Sequence, residues 1–230
     1  MVITGRREDV LAAAAAEIRA LSGADVRHLV SDLADPEAAA RLVGDVERDV
    51  GPVDVLVVNA GGPAPGRVLA VDDEAWQRGL DLLLLGPLRL ARAALPRMAE
   101  RGFGRVVVVT STAVRKPEPD LAVSVVVRSA VTAAAKLLAR EFAADGVTVN
   151  CVAPGATATA RREQILANRA AATGTYPDEL ERAESAAIPA GRPGQPEEVG
   201  QAIAFLASDA AAYINGTVLT VDGGRTETIW

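Results

Sequence analysis

Short apolar runs rich in valine alternate with longer stretches of helical spacing, and this alternation limits the fold more than any other feature of the chain. The apolar runs occupy residues 1–4, 25–30, 53–58, 104–110, 146–152 and 217–221. The stretches with helical spacing are 7–21, 35–50, 72–100, 120–144 and 196–207. Runs that are apolar on both faces predict buried parallel strands, and their alternation with helices predicts an open α/β sheet.

Residues that typically begin or end helices support these boundaries. Ser22-Gly23 ends the first helical stretch, Asp35-Pro36 begins the second with a cap and a proline, and Pro196 begins the last. Residues 156–195 interrupt the alternation of apolar runs and helical stretches, because they are polar, contain glycine and proline, and are only partly periodic. Such an insertion after a strand of an open α/β sheet predicts a substrate lid. We interpret residues 1–230 as one domain.

The stretch LAVSVVVRSAV at 121–131 is locally ambiguous, because three successive valines favour a strand. The helical pattern continues without a break through the following LLAREFAADG, so we predict a helix.

Composition excludes several classes of partner. The 230 residues carry a formal net charge of −6 without blocks of like charge, which predicts neither nucleic acid nor an anionic membrane as a partner. Cys151 is the single cysteine, so no intrachain disulfide is possible and a reducing cytoplasm is expected. No run reaches 18 apolar residues, and the charged start MVITGRRED is unlike a signal peptide.

Few other chemistries are available to the chain. His28, the only histidine, lies on a predicted strand and has no G-x-S-x-G elbow to pair with, which favours a structural imidazole. No cluster of histidine and cysteine predicts a metal site. Lys116 lies in the loop after the strand that precedes Ser111. Its side chain is an alternative candidate for a catalytic group in the cleft.

Five motifs, in their order and spacing, resemble those of the short-chain dehydrogenase/reductase family, and more narrowly its bacterial 3-oxoacyl-carrier-protein-reductase-like members. They are DLAD at 32–35, NAGG at 59–62, RVVVVTST at 105–112, VNCVAPGATAT at 149–159, and the segment from GRPGQPEEV to VDGG at 191–224. The resemblance implies a Rossmann-like, doubly wound parallel sheet and NADP or NAD as cofactor. It also implies a small carbonyl or alcohol substrate, and a homodimer or homotetramer that pairs through the helices at 72–100 and 120–144.

The resemblance also implies which residues bind the adenosine half of the cofactor. Asn59, Ala60 and Gly61 would carry the adenine ribose, because small residues after a strand let a flat ligand approach the backbone; the alternative is a tight turn. Asp32 would contact the adenine amino group, or it is an ordinary loop aspartate. Arg6 would bind a ribose 2′-phosphate and favour NADP, or it is a solvated charge at a helix start.

On the nicotinamide side, the resemblance implies contacts from Pro154, Gly155 and Thr159. The family's opening strand, T-G-x-x-x-G-x-G turn and helix are not matched, since ITGRRED shares only the first two letters of the turn. We therefore predict that a central strand-helix unit of roughly 30 residues is absent, through a misassigned start or a truncated chain.

The family's catalytic tetrad is altered at three of its four positions. Ser111 matches the serine, whereas Ser124, Arg128 and Leu83 stand where the family has tyrosine, lysine and asparagine. Tyrosine begins near pKa 10 and is lowered by a neighbouring cation, but an aliphatic hydroxyl has no such accessible anion. Arg128 stays protonated and cannot relay a proton. The i, i+4 spacing puts Ser124 and Arg128 on one helix face, so we expect them to line the pocket as binding groups.

Three functions remain open from the sequence. The first is an NAD(P)-dependent oxidoreductase that acts on a carbonyl or alcohol through an atypical proton donor, namely Ser111, Ser124 or water. The second is a catalytically impaired homologue that serves as a binding or partner subunit. The third is a non-redox enzyme on the same scaffold.

Overall fold

The structure is a computed structural model that describes residues 1–229. Strands form at all six apolar runs: β1 Val2–Gly5, β2 Arg27–Val30, β3 Val55–Val58, β4 Gly104–Val109, β5 Val147–Pro154 and β6 Val218–Val221. The main helices are α1 Glu8–Ser22, α2 Pro36–Asp49, α3 Asp73–Leu80, α4 Gly86–Arg101, α5 Ala122–Glu141, α6 Ala160–Thr173, α7 Pro177–Ala186 and α8 Pro196–Leu206. The predicted α/β alternation is confirmed.

Every pairing between these strands is parallel, and the strands form two separate sheets. One joins β1 to β2, and the other has the order β3-β4-β5-β6. Within residues 1–229 no ladder joins β1 to β3, and the flanking strand β3 exposes Val55 and Val57 to 44% and 43%. The sheet is thus interrupted between β1 and β3. An absent central strand would produce such a gap, although that absence remains a prediction.

Helix boundaries follow the predicted punctuation in most of the chain. The Asp35 carboxylate caps α2 by accepting the backbone N–H groups of Glu37 and Ala38 at 2.9 and 3.2 Å, with Pro36 at the first helical position. Gly23 ends α1 in the left-handed conformation with φ of 68°, which glycine adopts without steric cost.

The stretch at 72–100 differs from its prediction of a single uniform helix. It consists of α3 and α4 joined by a π-helical turn at Asp81–Leu85. Such turns insert a residue into the helical ladder and often occur at functional sites. The turn therefore changes which side chains of this stretch face α5.

The helix predicted for LAVSVVVRSAV is confirmed as α5. Its buried face contains Val123, Val127, Val131, Ala135 and Ala139, which recur every four residues. This face packs against β5. By length and composition alone α5 is also apolar enough to cross a membrane, and it is the one such helix in residues 1–229. Its packing on the sheet is that of a core helix.

The segment 156–195 is more regular than the sequence indicates. It forms α6 and α7, which pack on each other, and its prediction as a partly periodic insertion missed both helices. Arg162 of α6 pairs with Glu181 and Glu184 of α7 at 3.0 and 3.1 Å. Charged residues on facing surfaces thus replace the apolar stripe that sequence patterns detect. Its role as a lid remains a prediction.

The main core lies between α4, α5 and the strands β4 and β5. Leu95, Met98 and Val149 are at most 1% exposed there. A Cβ on Gly104 would lie 2.6 Å from Sδ of Met98, so only glycine allows α4 to approach the start of β4. Close packing of this kind makes the core sensitive to loss of volume.

We expect Leu95→Ala to lower the free energy of unfolding by about 2–5 kcal/mol, because it removes buried methyl groups and leaves a cavity. The matched control is Leu69→Ala, since Leu69 is 100% exposed, and its effect should stay within about 0.5 kcal/mol. Urea unfolding of the two variants and the parent chain measures both values. Equal stabilities of the two variants would contradict this description of the core.

Candidate active site

The five residues predicted to bind the adenosine half of a cofactor line one cavity of about 130 Å³, which we call the first cavity. They are Arg6, Asp32, Asn59, Ala60 and Gly61. The cavity lies where β1, β2 and β3 end, beside the gap in the sheet. Strand ends thus bring together residues that are up to 55 positions apart in the sequence (6 to 61).

The first cavity has free polar groups. The buried Oγ atom of Ser31 lacks a hydrogen-bond partner within the described residues, and Ser31 lines the cavity. Asp32 accepts the backbone N–H of Ala34 at 3.0 Å through one carboxylate oxygen, which leaves the other oxygen without a partner among residues 1–229. Nothing lies within 4 Å of the position a Cβ would take on Gly61. An unsatisfied hydroxyl and an open glycine edge fit a ligand that bears hydroxyl groups.

A second cavity of about 180 Å³ contains Ser111, Gly155 and Thr159 among its lining residues. It lies between the ends of β4 and β5 and the start of α6. A Cβ on Gly155 would lie 2.6 Å from Cβ of Asp222, so this turn requires glycine. Pro154 precedes it as the last residue of β5. The structure thus gathers the predicted serine with the predicted nicotinamide-side loop.

In the second cavity Ser111 keeps its hydroxyl hydrogen available. Its Oγ accepts the backbone N–H of Ala113 at 3.1 Å. Because that contact uses an oxygen lone pair, the O–H remains able to donate to a ligand.

Arg128 is buried and bonded to neutral groups from three elements. Its guanidinium donates to the Val109 carbonyl at the end of β4 at 2.7 Å and to the Ala60 carbonyl after β3 at 3.2 Å. It also donates to Oγ of Ser124 at 3.3 Å. Burial, with a smaller contribution from nearby Arg161, lowers the pKa of Arg128 to about 10. Through these hydrogen bonds the Arg128 guanidinium links α5 to the ends of β3 and β4.

The predicted pairing of Ser124 with Arg128 on one helix face is therefore present. Neither residue is among those that line the first or the second cavity. The planar guanidinium of Arg128 donates to two backbone carbonyls, in a geometry that the compact ammonium group of a lysine would not reproduce. Their roles as catalytic or binding groups remain predictions.

Leu83, which we predict to stand where the family has asparagine, packs among apolar side chains. It lies in the π-helical turn, is 2% exposed, and clusters with Val123 and Val127 of α5. Leucine has no group that could hold a water molecule, so this side of the site offers no polar relay at that position.

Two arginines of α6 that sequence reasoning missed approach the site. Arg161 donates to the Pro63 carbonyl in the loop after β3 at 2.6 Å. Arg169 donates to Glu118 and Asp120 in the loop after β4 at 2.6 and 2.8 Å, which lowers the pKa of Asp120. The sequence signal for Arg161 was the Arg161-Arg162 pair at the start of α6, whereas no local pattern marked Arg169. These contacts hold α6 over the second cavity.

Other candidate groups lie elsewhere. Lys116 is half-exposed, pairs with Glu227 at 3.6 Å, and borders a larger outer hollow of about 430 Å³. His28 is on β2, in register with Ile3 of β1. Among residues 1–229 no group of three or more His, Cys, Asp or Glu side chains is arranged to hold a metal ion.

Comparison with known proteins gives consistent matches along the chain. A family model described as enoyl-(acyl carrier protein) reductase matches residues 1–226. The 3-oxoacyl-[acyl-carrier-protein] reductase of Haemophilus influenzae is 34% identical over 207 residues, which cover 90% of this chain and 81% of that protein. A Xanthobacter autotrophicus protein named inactive 2-(S)-hydroxypropyl-CoM dehydrogenase 2 is 36% identical over 214 residues, which cover 93% and 89%.

A solved structure, that of an actinorhodin polyketide ketoreductase variant with NADPH, has a TM-score of 0.93 and 30% identity to this chain. The match covers 99% of this chain and 87% of that one. The aligned region therefore includes nearly all residues that line the two cavities.

Cys151 of β5 belongs to the main core cluster, so its thiol reports on the packing of that core. Burial raises the pKa of its thiol from 9.0 to about 12. Because only the thiolate is nucleophilic, we expect no labelling by a disulfide reagent at pH 8 in the folded chain, and one equivalent in denaturant. Since the pKa is higher in the folded state, the stability that this group contributes should fall as pH rises from about 9 to about 12. A full equivalent labelled at pH 8 without denaturant would contradict this.

Proposed function

Because the chain belongs to the short-chain dehydrogenase/reductase family, we propose that it transfers a hydride between NADP(H) or NAD(H) and a small carbonyl or alcohol substrate. The observation that carries this proposal is the distribution of the predicted residues over two neighbouring cavities. Five residues of the adenosine side share the first, and Ser111, Gly155 and Thr159 share the second.

We assign the adenosine half of the cofactor to the first cavity. Asp32 would contact the adenine, while Asn59, Ala60 and Gly61 would carry the ribose. Arg6, which follows β1 and lines this cavity, would bind a 2′-phosphate, which favours NADP. The ketoreductase with a TM-score of 0.93 was solved with NADPH, which supports the same cofactor class. When bound, the cofactor supplies or accepts the hydride.

Pro154, Gly155 and Thr159 would hold the nicotinamide side of the cofactor, and Ser111 would act on the substrate. A carbonyl oxygen in the second cavity can accept the Ser111 O–H, whose oxygen is fixed by the Ala113 N–H. As the carbonyl is reduced its oxygen becomes more basic and needs a proton. We propose that a water molecule in this cavity supplies that proton, either directly or through Ser111, which gives its own proton to the substrate oxygen and takes one from the water. Ser124, the other candidate donor, would have to act from outside the two cavities.

The second candidate function is a catalytically impaired partner subunit. The burial of Leu83 in an apolar cluster and the bracing bonds of Arg128 favour it. A relative with 36% identity is named inactive, which adds to that support. Under this alternative the cavities would bind ligands without turnover.

We further propose that the chain works in the cytoplasm as one domain, with residues 156–195 as the substrate lid. A single buried thiol needs no oxidising compartment. The ion pairs from Arg169 to Glu118 and Asp120 tie the proposed lid to the loop after β4.

We expect Ser111→Ala to lower the rate of ketone-dependent NADPH oxidation about 10²–10⁴-fold, because it removes the group placed to donate to the substrate oxygen. Ser129→Ala is the matched control, since the exposed Ser129 hydroxyl contacts only the Val125 carbonyl within the described residues. Measuring cofactor affinity on the same preparations separates the two functions. Cofactor binding by the parent chain without turnover on any ketone supports the partner subunit, and unchanged turnover in Ser111→Ala contradicts the proposed role of Ser111.

We propose that the chain forms a homodimer or homotetramer through α4 and α5. The outer face of α5 exposes Val126 and Leu137 to 52% and 60%, and exposed apolar patches of this kind commonly mark interfaces. Leu137→Glu should therefore shift the mass measured by light scattering at micromolar concentration towards the monomer. Leu69→Glu, at a fully exposed leucine outside these helices, should not. A monomeric parent chain would contradict the proposal.

A further inference from the structure

The guanidinium of Arg128 is a buried positive charge without a carboxylate partner in residues 1–229. Its hydrogen bonds go to two backbone carbonyls and one serine hydroxyl, all of them neutral. Arg128 is 8% exposed. A buried charge is costly unless a counter-charge accompanies it. Arg128 lines neither cavity, so its charge acts on a ligand only through space.

A second guanidinium faces the same region. Arg161, half-buried in the first turn of α6, donates to the Pro63 carbonyl at 2.6 Å and to the side-chain oxygen of Gln164 at 3.4 Å. Its Nε and Nη2 atoms lie 3.2 Å from the position a Cβ would take on Gly62. Arg161 also acts on Arg128 as a neighbouring like charge. Two cations held close together strengthen the attraction for an anion.

The other arginines of the second cavity are already paired with carboxylates. Arg162 binds Glu181 and Glu184, and Arg169 binds Glu118, Asp120 and Glu184. Arg225 lies 3.6 Å from Glu118. Both glutamates that line the cavity, Glu118 and Glu184, are thus engaged. In the described part of the chain, Arg161 is the one arginine of this lining that lacks a carboxylate partner.

We propose that Arg161 binds a carboxylate of the substrate in the second cavity, so that the chain takes small oxo acids or hydroxy acids. The planar guanidinium matches a carboxylate with two parallel hydrogen bonds. Ser111 lines the same cavity of about 180 Å³ and would meet the carbonyl or hydroxyl group of such a substrate. This inference deepens the proposed function, and it rests on that function for the identity of the ligand as a substrate. Binding of the carboxylate itself requires no turnover.

The test uses direct binding to the full chain, measured by calorimetry or saturation-transfer NMR without cofactor. The probes are acetoacetate, its methyl ester and inorganic phosphate. The variants are Arg161→Gln, Arg161→Lys and the control Arg182→Gln, because exposed Arg182 on α7 contacts only the Asp178 carbonyl within residues 1–229. The folded state of each variant is checked by thermal unfolding.

We expect the parent chain to bind acetoacetate and not its methyl ester. Arg161→Gln should weaken acetoacetate binding about 10- to 100-fold, in line with the loss of a charge-assisted hydrogen bond. Arg161→Lys should retain part of the affinity, and Arg182→Gln all of it. Equal binding of acid and ester, equal binding by parent and Arg161→Gln, or no binding of acetoacetate would overturn the proposal. Binding of phosphate in preference to acetoacetate would also overturn it, by assigning the site to a phosphorylated ligand.

These outcomes are independent of the proposed oxidoreductase activity. If acetoacetate binds through Arg161 but NADPH oxidation is absent with every ketone, the carboxylate site stands and the hydride transfer fails. If generic ketones are reduced while acetoacetate does not bind, the activity stands and the carboxylate site fails.

Discussion

The buried guanidinium of Arg128 is the contact on which the geometry of both cavities depends. It joins α5 to the carbonyl of Val109 at the end of β4 and to that of Ala60 after β3. Ala60 lines the first cavity, and Ser111, two residues beyond Val109, lines the second. One side chain therefore links a residue of the first cavity to the strand end that precedes Ser111 of the second. Its loss would leave two strand-end carbonyls unsatisfied in a buried setting, which is costly.

The interruption of the sheet leaves helix packing to hold its two parts together. No ladder joins β1 to β3 within residues 1–229, and the chain runs from β2 into α2, which packs on α4. Val43 of α2 belongs to the same core cluster as Leu90 of α4, and Glu47 pairs with Arg97 across this contact at 2.5 Å. The first cavity lies beside this gap, so its shape depends on helix packing where a continuous sheet would supply backbone hydrogen bonds.

The strands and most helices were predictable from local patterns, because helical periodicity and apolar runs can be recognised within short stretches of sequence. The same reasoning gathered Asp32 and Asn59 at one edge, since strand ends of a parallel sheet converge. It missed the π-helical turn at Asp81–Leu85, which packs with α3 against α5. It also missed Arg169, whose partner Glu118 is 51 residues away and becomes a neighbour only in the fold.

The three residues predicted at altered tetrad positions, Leu83, Ser124 and Arg128, all make contacts within the protein. Leu83 turns the α4 side of the site into apolar packing, and Arg128 is committed to the backbone behind it. Ser124 accepts one of the Arg128 hydrogen bonds and lies outside both cavities. Of the polar groups that line the second cavity, Ser111 keeps its hydroxyl hydrogen available, and Arg161 lacks a carboxylate partner within residues 1–229. We therefore expect proton donation and substrate selection in the proposed reaction to involve Ser111 and Arg161, because Leu83, Ser124 and Arg128 line neither cavity.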